Sequence, residues 1–322
     1  MRPGRVVIAA ALLALAIAAW RLTHGPLAVP LADLFDSSNR AARLALDLRA
    51  PRLLTALAAG AALAGAGAAL QTMFRNPLVA PDLLGVSSGA AVGAAGALLL
   101  GLSAIAAQVT AFGGGIAAAA LALACARLAR GSEPRLALVL CGIVTGALMS
   151  AALAAMLFLA DPYSQLPAIT FWLLGSFGRA TLSEAVTATS LASAGLTVLL
   201  WLGFRLDVLS LGDDQAHSLG VTPRPLRFAA IGAATLATSA MVAVAGIVGW
   251  IGLIAPHLAR LIVGERIGAL LPAAIAIGAL FGVLLDTAAT SFGPVELPVG
   301  LLAAGLGAPA FLALFVARGG SR

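Results

Sequence analysis

Lysine is missing from this chain: all 19 basic positions are arginine. An ordinary phosphate-binding loop uses the lysine of its GK[ST] motif to reach the nucleotide phosphates, so the chain should not hydrolyse ATP by that route. Charge as a whole is scarce. Only 10% of the residues are charged, against roughly 25% in a soluble domain, which excludes the soluble class. Cys125 and Cys141 lie in apolar segments without CxxC spacing and read as small buried hydrophobes. His24, His217 and His257 stand alone, and there is neither an HExxH motif nor a carboxylate pair at catalytic spacing. No catalytic residue, metal ligand or cofactor is therefore expected on this chain. No basic stripe is interleaved with aromatics, so the net charge of +6 does not point to nucleic acid.

What is present is apolar: 61% of the 322 residues are hydrophobic. Continuous runs reach the length of about 20 residues that a membrane-crossing helix needs. A barrel would instead show alternating segments of about ten residues. The runs predict an all-α membrane protein with about ten spans. They are Val6–Thr23, Pro51–Thr72, Ser88–Leu102, Ala106–Leu128, Leu136–Ala160, Ser183–Leu202, Pro225–Val248, a short Pro256–Val263, Ile267–Ser291 and Leu297–Ala317. The N-terminus, with Arg2 and Arg5 ahead of an apolar run to Trp20, resembles a secretory signal but is better read as a first span, since many follow. With both termini cytoplasmic, most arginines fall inside, while Arg21, Arg40, Arg43, Arg49, Arg52 and Arg179 fall outside. That bias obeys the positive-inside rule.

Ten spans divide into halves of five, residues 1–160 and 161–322, and an odd number inverts one half relative to the other. "AGAALQTMFRNP" (66–77) and "AGIVGWIGLIAP" (245–256) echo each other weakly, as the inverted repeats of transporters do. Three polar breaks interrupt the pattern. "RNPLVAPDLLGVSSGA" (75–90) follows span two, where Asn76 and Ser87 can cap backbone groups. "DPYSQLPAITFWLLGSFGR" (161–179) predicts a short outer helix. The longest break, 204–225, lies on the cytoplasmic side; its "DDQAHSLGV" predicts a short helix bounded by Gly212 and the Pro223/Pro225 pair. An ion-coupled carrier would place an ionisable group near mid-membrane. Asp286 is the best candidate, but it sits about one turn from the outer end of its span, so coupling energy is expected from another polypeptide.

The stretch "GAALAGAGAALQTMFRNPLVAPDLLGVSSGA" (60–90) resembles the signature of the FecCD/BtuC-type permeases, the membrane subunits of ABC importers for iron-siderophores, haem and cobalamin. "FWLLGSFGRA" (171–180), "LSLGDDQAHSLGV" (209–221), "GWIGLIAPHLARLIVG" (249–264) and "ELPVGLLAAGLGAPAFLALF" (296–315) follow in family order. The resemblance implies the type II importer fold as a homodimer in the bacterial inner membrane. It also implies two separate ABC ATPase subunits that bind ATP and Mg, and a periplasmic substrate-binding protein. Carried over residue by residue, Asn76, Pro77 and Leu78 form a cytoplasmic gate, while Leu211, Gly212, Asp213, Asp214, His217, Leu219 and Gly220 dock the ATPase. Arg49 and Arg52 pair with glutamates of the binding protein; their other reading is as arginines that snorkel to lipid phosphates. Two departures stand out. A second gate element would fall in "GSEPR", at Glu133 and Pro134, where the family often has small hydroxyl residues. The stretch "DTAATSFGPVELP" carries no arginine where the vitamin B12 permease has one, which tells against cobalamin. A ferric siderophore leads the substrates, with haem, cobalamin or an oxyanion behind it and an ion-coupled secondary transporter as the rival class.

Overall fold

Backbone inside a bilayer has no water to bond, so each crossing segment closes its hydrogen bonds along its own axis as a helix. The computed structural model describes residues 3–24, 29–30, 39–129, 134–292 and 295–319. Among them the chain forms twelve α-helices, one 3-10 turn and no strand. The order is α1 (Pro3–Thr23), α2 (Arg40–Phe74), the 3-10 turn (Pro81–Leu84), α3 (Val86–Leu99), α4 (Ala104–Leu128), α5 (Pro134–Leu159) and α6 (Gln165–Leu174). It continues with α7 (Leu182–Leu209), α8 (Asp213–Ser218), α9 (Pro223–Ala245), α10 (Ile251–Val263), α11 (Ile267–Ala289) and α12 (Val299–Gly319). Ten match the expected spans, while α6 and α8 are the two expected short helices. Seven are individually long and apolar enough to cross a membrane: α1, α2, α4, α5, α7, α9 and α11.

Three boundaries differ from the sequence reading by more than one helical turn. Helix α2 starts at Arg40 and runs through Pro51, whereas the sequence pattern places Pro51 at the first helical position. Its 35 residues reach about 52 Å, well beyond the ~30 Å hydrocarbon layer, so its first turns project past the apolar zone. Helix α7 continues to Leu209, so the long polar break opens at Ser210 rather than 204. Within that extension the Asp207 carboxylate accepts the Ile267 N–H at 2.8 Å and so caps α11 from a neighbouring helix. Helix α10 begins at Ile251, with Pro256 inside it.

The internal echo is not a shared conformation. Residues 66–74 complete α2, whereas 246–250 form a non-helical strap between α9 and α10. Gly246 (φ 74°) and Trp250 (φ 69°) bound that strap in the left-handed region.

Helices α2 and α9 are the enclosed ones, each with 78% of its apolar window buried, against 17% for α1 and 22% for α5. Small residues let α2 approach α11 until backbones touch. A Cβ added to Gly60 would stand 2.0 Å from the Gly278 carbonyl oxygen, and one on Gly282 would stand 2.0 Å from that of Ala56. Close small-residue contact of this kind is the main attraction available where lipid is as apolar as leucine.

Candidate functional site

Polar side chains concentrate at the two ends of the bundle. At the α8 end, α2 stops because Arg75 adopts a left-handed conformation (φ 52°). The Asn76 N–H returns to the Gln71 carbonyl (3.1 Å) and the Arg75 N–H to that of Thr72 (3.2 Å). This is the Schellman ending that glycine normally supplies, and an L-residue there costs about 1–2 kcal/mol. The Asn76 side chain then accepts the Leu78 N–H at 2.9 Å, closing a tight turn. Ser87 bonds the Asp82 carboxylate instead of capping backbone. The result is a braced loop with Val79 buried and Leu78 exposed at its tip, 54% accessible. Of the expected second gate element, Glu133 lies outside the described residues, and Pro134 is the first residue of α5.

Behind this loop a cavity of about 250 Å³ is lined by Gln71, Arg75, Asn76, Ser210, Arg260 and Glu265. Gln71, buried in α2, donates to the Gly252 carbonyl (3.3 Å) and accepts from Arg260 Nη1 (3.1 Å). It therefore ties the end of α2 to both ends of α10. Sequence reasoning passed over Gln71 and Arg260; a polar residue late in an apolar run was the signal.

Helix α8 is mounted on this end. Gly212 turns the chain with φ 128°, a conformation closed to other residues. Asp213, its side chain still 37% exposed, pairs with two arginines: Arg227 binds it bidentately at 2.5 and 2.9 Å, and Arg135 adds a third contact at 3.2 Å. The Arg227 hydrogen bonds, chiefly, hold its carboxyl below the usual carboxylate range. A depressed pKa means that this brace is intact at neutral pH and is lost only as pH falls through the lowered value. Ala216 is buried, whereas Leu211 (55%), Leu219 (59%), Asp214, His217 and Gly220 are exposed. Gly220 (φ 77°) ends the helix as Val221 N–H returns to the Ala216 carbonyl at 2.8 Å. Of the expected docking residues, Leu211, Asp214, His217, Leu219 and Gly220 are thus exposed, Gly212 and Asp213 are half-buried, and Asp213 also braces the helix through Arg227 and Arg135.

At the opposite end, Arg52 on α2 is held from two sides. Its Nε donates to Asp286 of α11 at 2.5 Å. Its Nη1 and Nη2 grip both oxygens of Glu296, at 2.9 and 2.6 Å. Gly178 leaves the space, since a Cβ there would come within 2.8 Å of Arg52 Nη1. Arg49 donates to the Leu22 carbonyl at 2.8 Å, and Arg21 to Thr290 at 2.6 Å. Asp286, the candidate for an ion-coupling acid, is fully buried and paired with arginine.

Apolar helices packed through small residues, a non-helical strap inside them and braced polar loops at both ends define a polytopic membrane transport protein. The FecCD transport family is matched over residues 8–317, and the chain belongs to that family. It is 42% identical over 275 residues to an iron chelatin transport system permease protein of Helicobacter pylori, covering 85% of this chain and 83% of that one. It is 37% identical over 278 residues to the molybdate import system permease protein of Haemophilus influenzae, covering 85% and 82%. Among solved structures it is similar to a metal-chelate type ABC transporter in an inward-facing conformation, with a TM-score of 0.88, 33% identity, and coverage of 97% of this chain and 99% of that one.

Proposed function

We infer that this chain is the membrane-spanning subunit of an ATP-binding-cassette importer that moves a metal chelate, foremost a ferric siderophore, from periplasm to cytoplasm. Two copies enclose the path along their shared axis in the bacterial inner membrane, both termini cytoplasmic. Two ATPase subunits carrying ATP and Mg sit against α8, and a binding protein delivers cargo at the Arg49/Arg52 end. The carrying observation is α8 itself: a rigidly braced helix flanked by the exposed Leu211 and Leu219, on a chain that lacks the lysine of a phosphate-binding loop. Such a surface suits a separate engine. The arginine bias supports the orientation. Relatives named for iron chelatin and for molybdate support a chelate or an oxyanion as cargo. The pairing of Asp286 with Arg52 counts against an ion-coupled carrier, which needs an acid free to take and release its ion.

Proteoliposomes holding the complete transporter, supplied with binding protein and a ferric hydroxamate siderophore, test this reading. Import should require ATP on the ATPase side and ignore an imposed proton gradient. Gradient-driven import without ATP would assign the chain to the rival class.

The gate makes its own prediction. Asn76, Pro77 and Leu78 close the cytoplasmic exit, with Leu78 at the exposed tip. After Cys125 and Cys141 are changed to alanine, Leu78→Cys should cross-link across the dimer with a yield that changes several-fold on adding nucleotide. A cysteine there that never cross-links, and that reagents reach only from the periplasm, removes Leu78 from the gate.

A further inference from the structure

The guanidinium of Arg52 has one edge held by the protein's interior and one turned towards the rim, and both carry a carboxylate. Asp286 takes Nε; its side chain is 1% exposed and fixed on α11. Glu296 takes the outer edge, with each of its oxygens on one terminal nitrogen. It lies on the connection between α11 and α12, is 38% exposed, and gains a further weak bond from the Ser176 hydroxyl at 3.4 Å. Arg52 itself is only 13% exposed. The outer edge is the part of an arginine that recognises a carboxylate with two parallel bonds, and Glu296 already fills that position.

We propose that Glu296 is a built-in competitor for the Arg52 guanidinium, which an acidic side chain of the binding protein must displace on docking. The proposal rests on the docking role of Arg52 inferred above. Exchange is carboxylate for carboxylate, so Arg52 is never left unpaired in a half-buried site, a state that would cost several times more than a surface pair yields. Asp286 stays on Nε throughout and keeps the fork aimed outward. The displaced Glu296, already in contact with solvent, moves into water at little cost. The latch thus lowers the affinity of docking without removing its geometry, which suits a partner that must leave after each delivery.

A double-mutant cycle tests it, using the complete transporter in lipid nanodiscs and the binding protein that supports its uptake, with affinity measured at low salt. Glu296→Gln and Glu296→Ala should each tighten docking by about fivefold, the upper range for a partly exposed ion pair. Arg52→Gln should weaken docking, and Arg52→Gln with Glu296→Gln should match Arg52→Gln alone, because Glu296 acts only through Arg52. Unchanged or weaker docking by both Glu296 variants overturns the latch while leaving Arg52 as a docking residue. The latch also falls if Glu296→Gln still tightens docking in the Arg52→Gln background, since simple repulsion of an acidic partner then explains the gain. Normal docking by Arg52→Gln removes the docking role of Arg52 and the latch with it. Retention of monodisperse, thermally stable protein in each variant keeps folding out of the comparison.

Discussion

Leucine at both Gly60 and Gly282 is expected to remove almost all folded protein from the membrane. At these positions a Cβ alone would lie 2.0 Å from the backbone oxygens of Gly278 and Ala56 respectively. Backbone cannot rotate aside as a side-chain end can, so α2 and α11 would have to separate along their length. Inserting bulk into a packed core costs about 1–3 kcal/mol where side chains can adjust. Two insertions against backbone, at the buried contact of α2 and α11, approach the whole ~5–15 kcal/mol that holds a domain together. Detergent extracts should show the monodisperse peak reduced at least about tenfold and the remainder aggregated. Gly113→Leu on α4, where a Cβ meets nothing within 4 Å, should behave like the parent. A double variant extracted at parental yield would mean that α2 and α11 do not depend on this contact.

That contact shows which parts of the fold were legible in the sequence. The seven long spans followed from run length, because the bilayer sets a minimum helix that few alternatives satisfy. The short helices α6 and α8 followed from prolines and glycines at the edges of polar breaks. Helix contacts did not follow: small residues four apart mark the α2–α11 interface, but the same spacing recurs throughout a chain with 36 glycines. Boundaries failed where a distant partner decides them. Asp207 reads as part of a polar loop, yet it lies within α7 and its carboxylate caps α11 at Ile267, 60 residues away. Arg52 was visible as a rim charge, but its partners lie 234 and 244 residues on, and only the fold brings them together. Arg75 carried no signal for left-handed geometry, since its type argues against it. The docking and gate assignments came from the family resemblance. The structure adds which of these residues face outward and which, like Asp213, brace the others.

The division at α8 makes Leu219→Arg the sharpest test of the engine contact. Leu219 is 59% exposed and follows the last helical residue, while Ala216, on the buried face, seats α8 against its neighbours. Arginine at 219 therefore meets water in the isolated subunit, and the Asp213 brace to Arg227 and Arg135 is undisturbed. In the assembled transporter the same side chain would enter a desolvated contact. An apolar anchor at the centre of an interface is worth about 2 kcal/mol or more on truncation, and an unpaired charge in its place adds a desolvation penalty. The ATPase should no longer co-purify, ATP-driven uptake should fall to background, and the permease should still extract as a monodisperse dimer. Leu211→Arg on the other flank should act in the same direction, whereas Asp214→Ala, a solvated charge beside the contact, should change affinity by less than about fivefold. If Leu219→Arg keeps both its ATPase and its uptake, the exposed leucines of this loop are not the dock, and the brace on Asp213 serves some other surface.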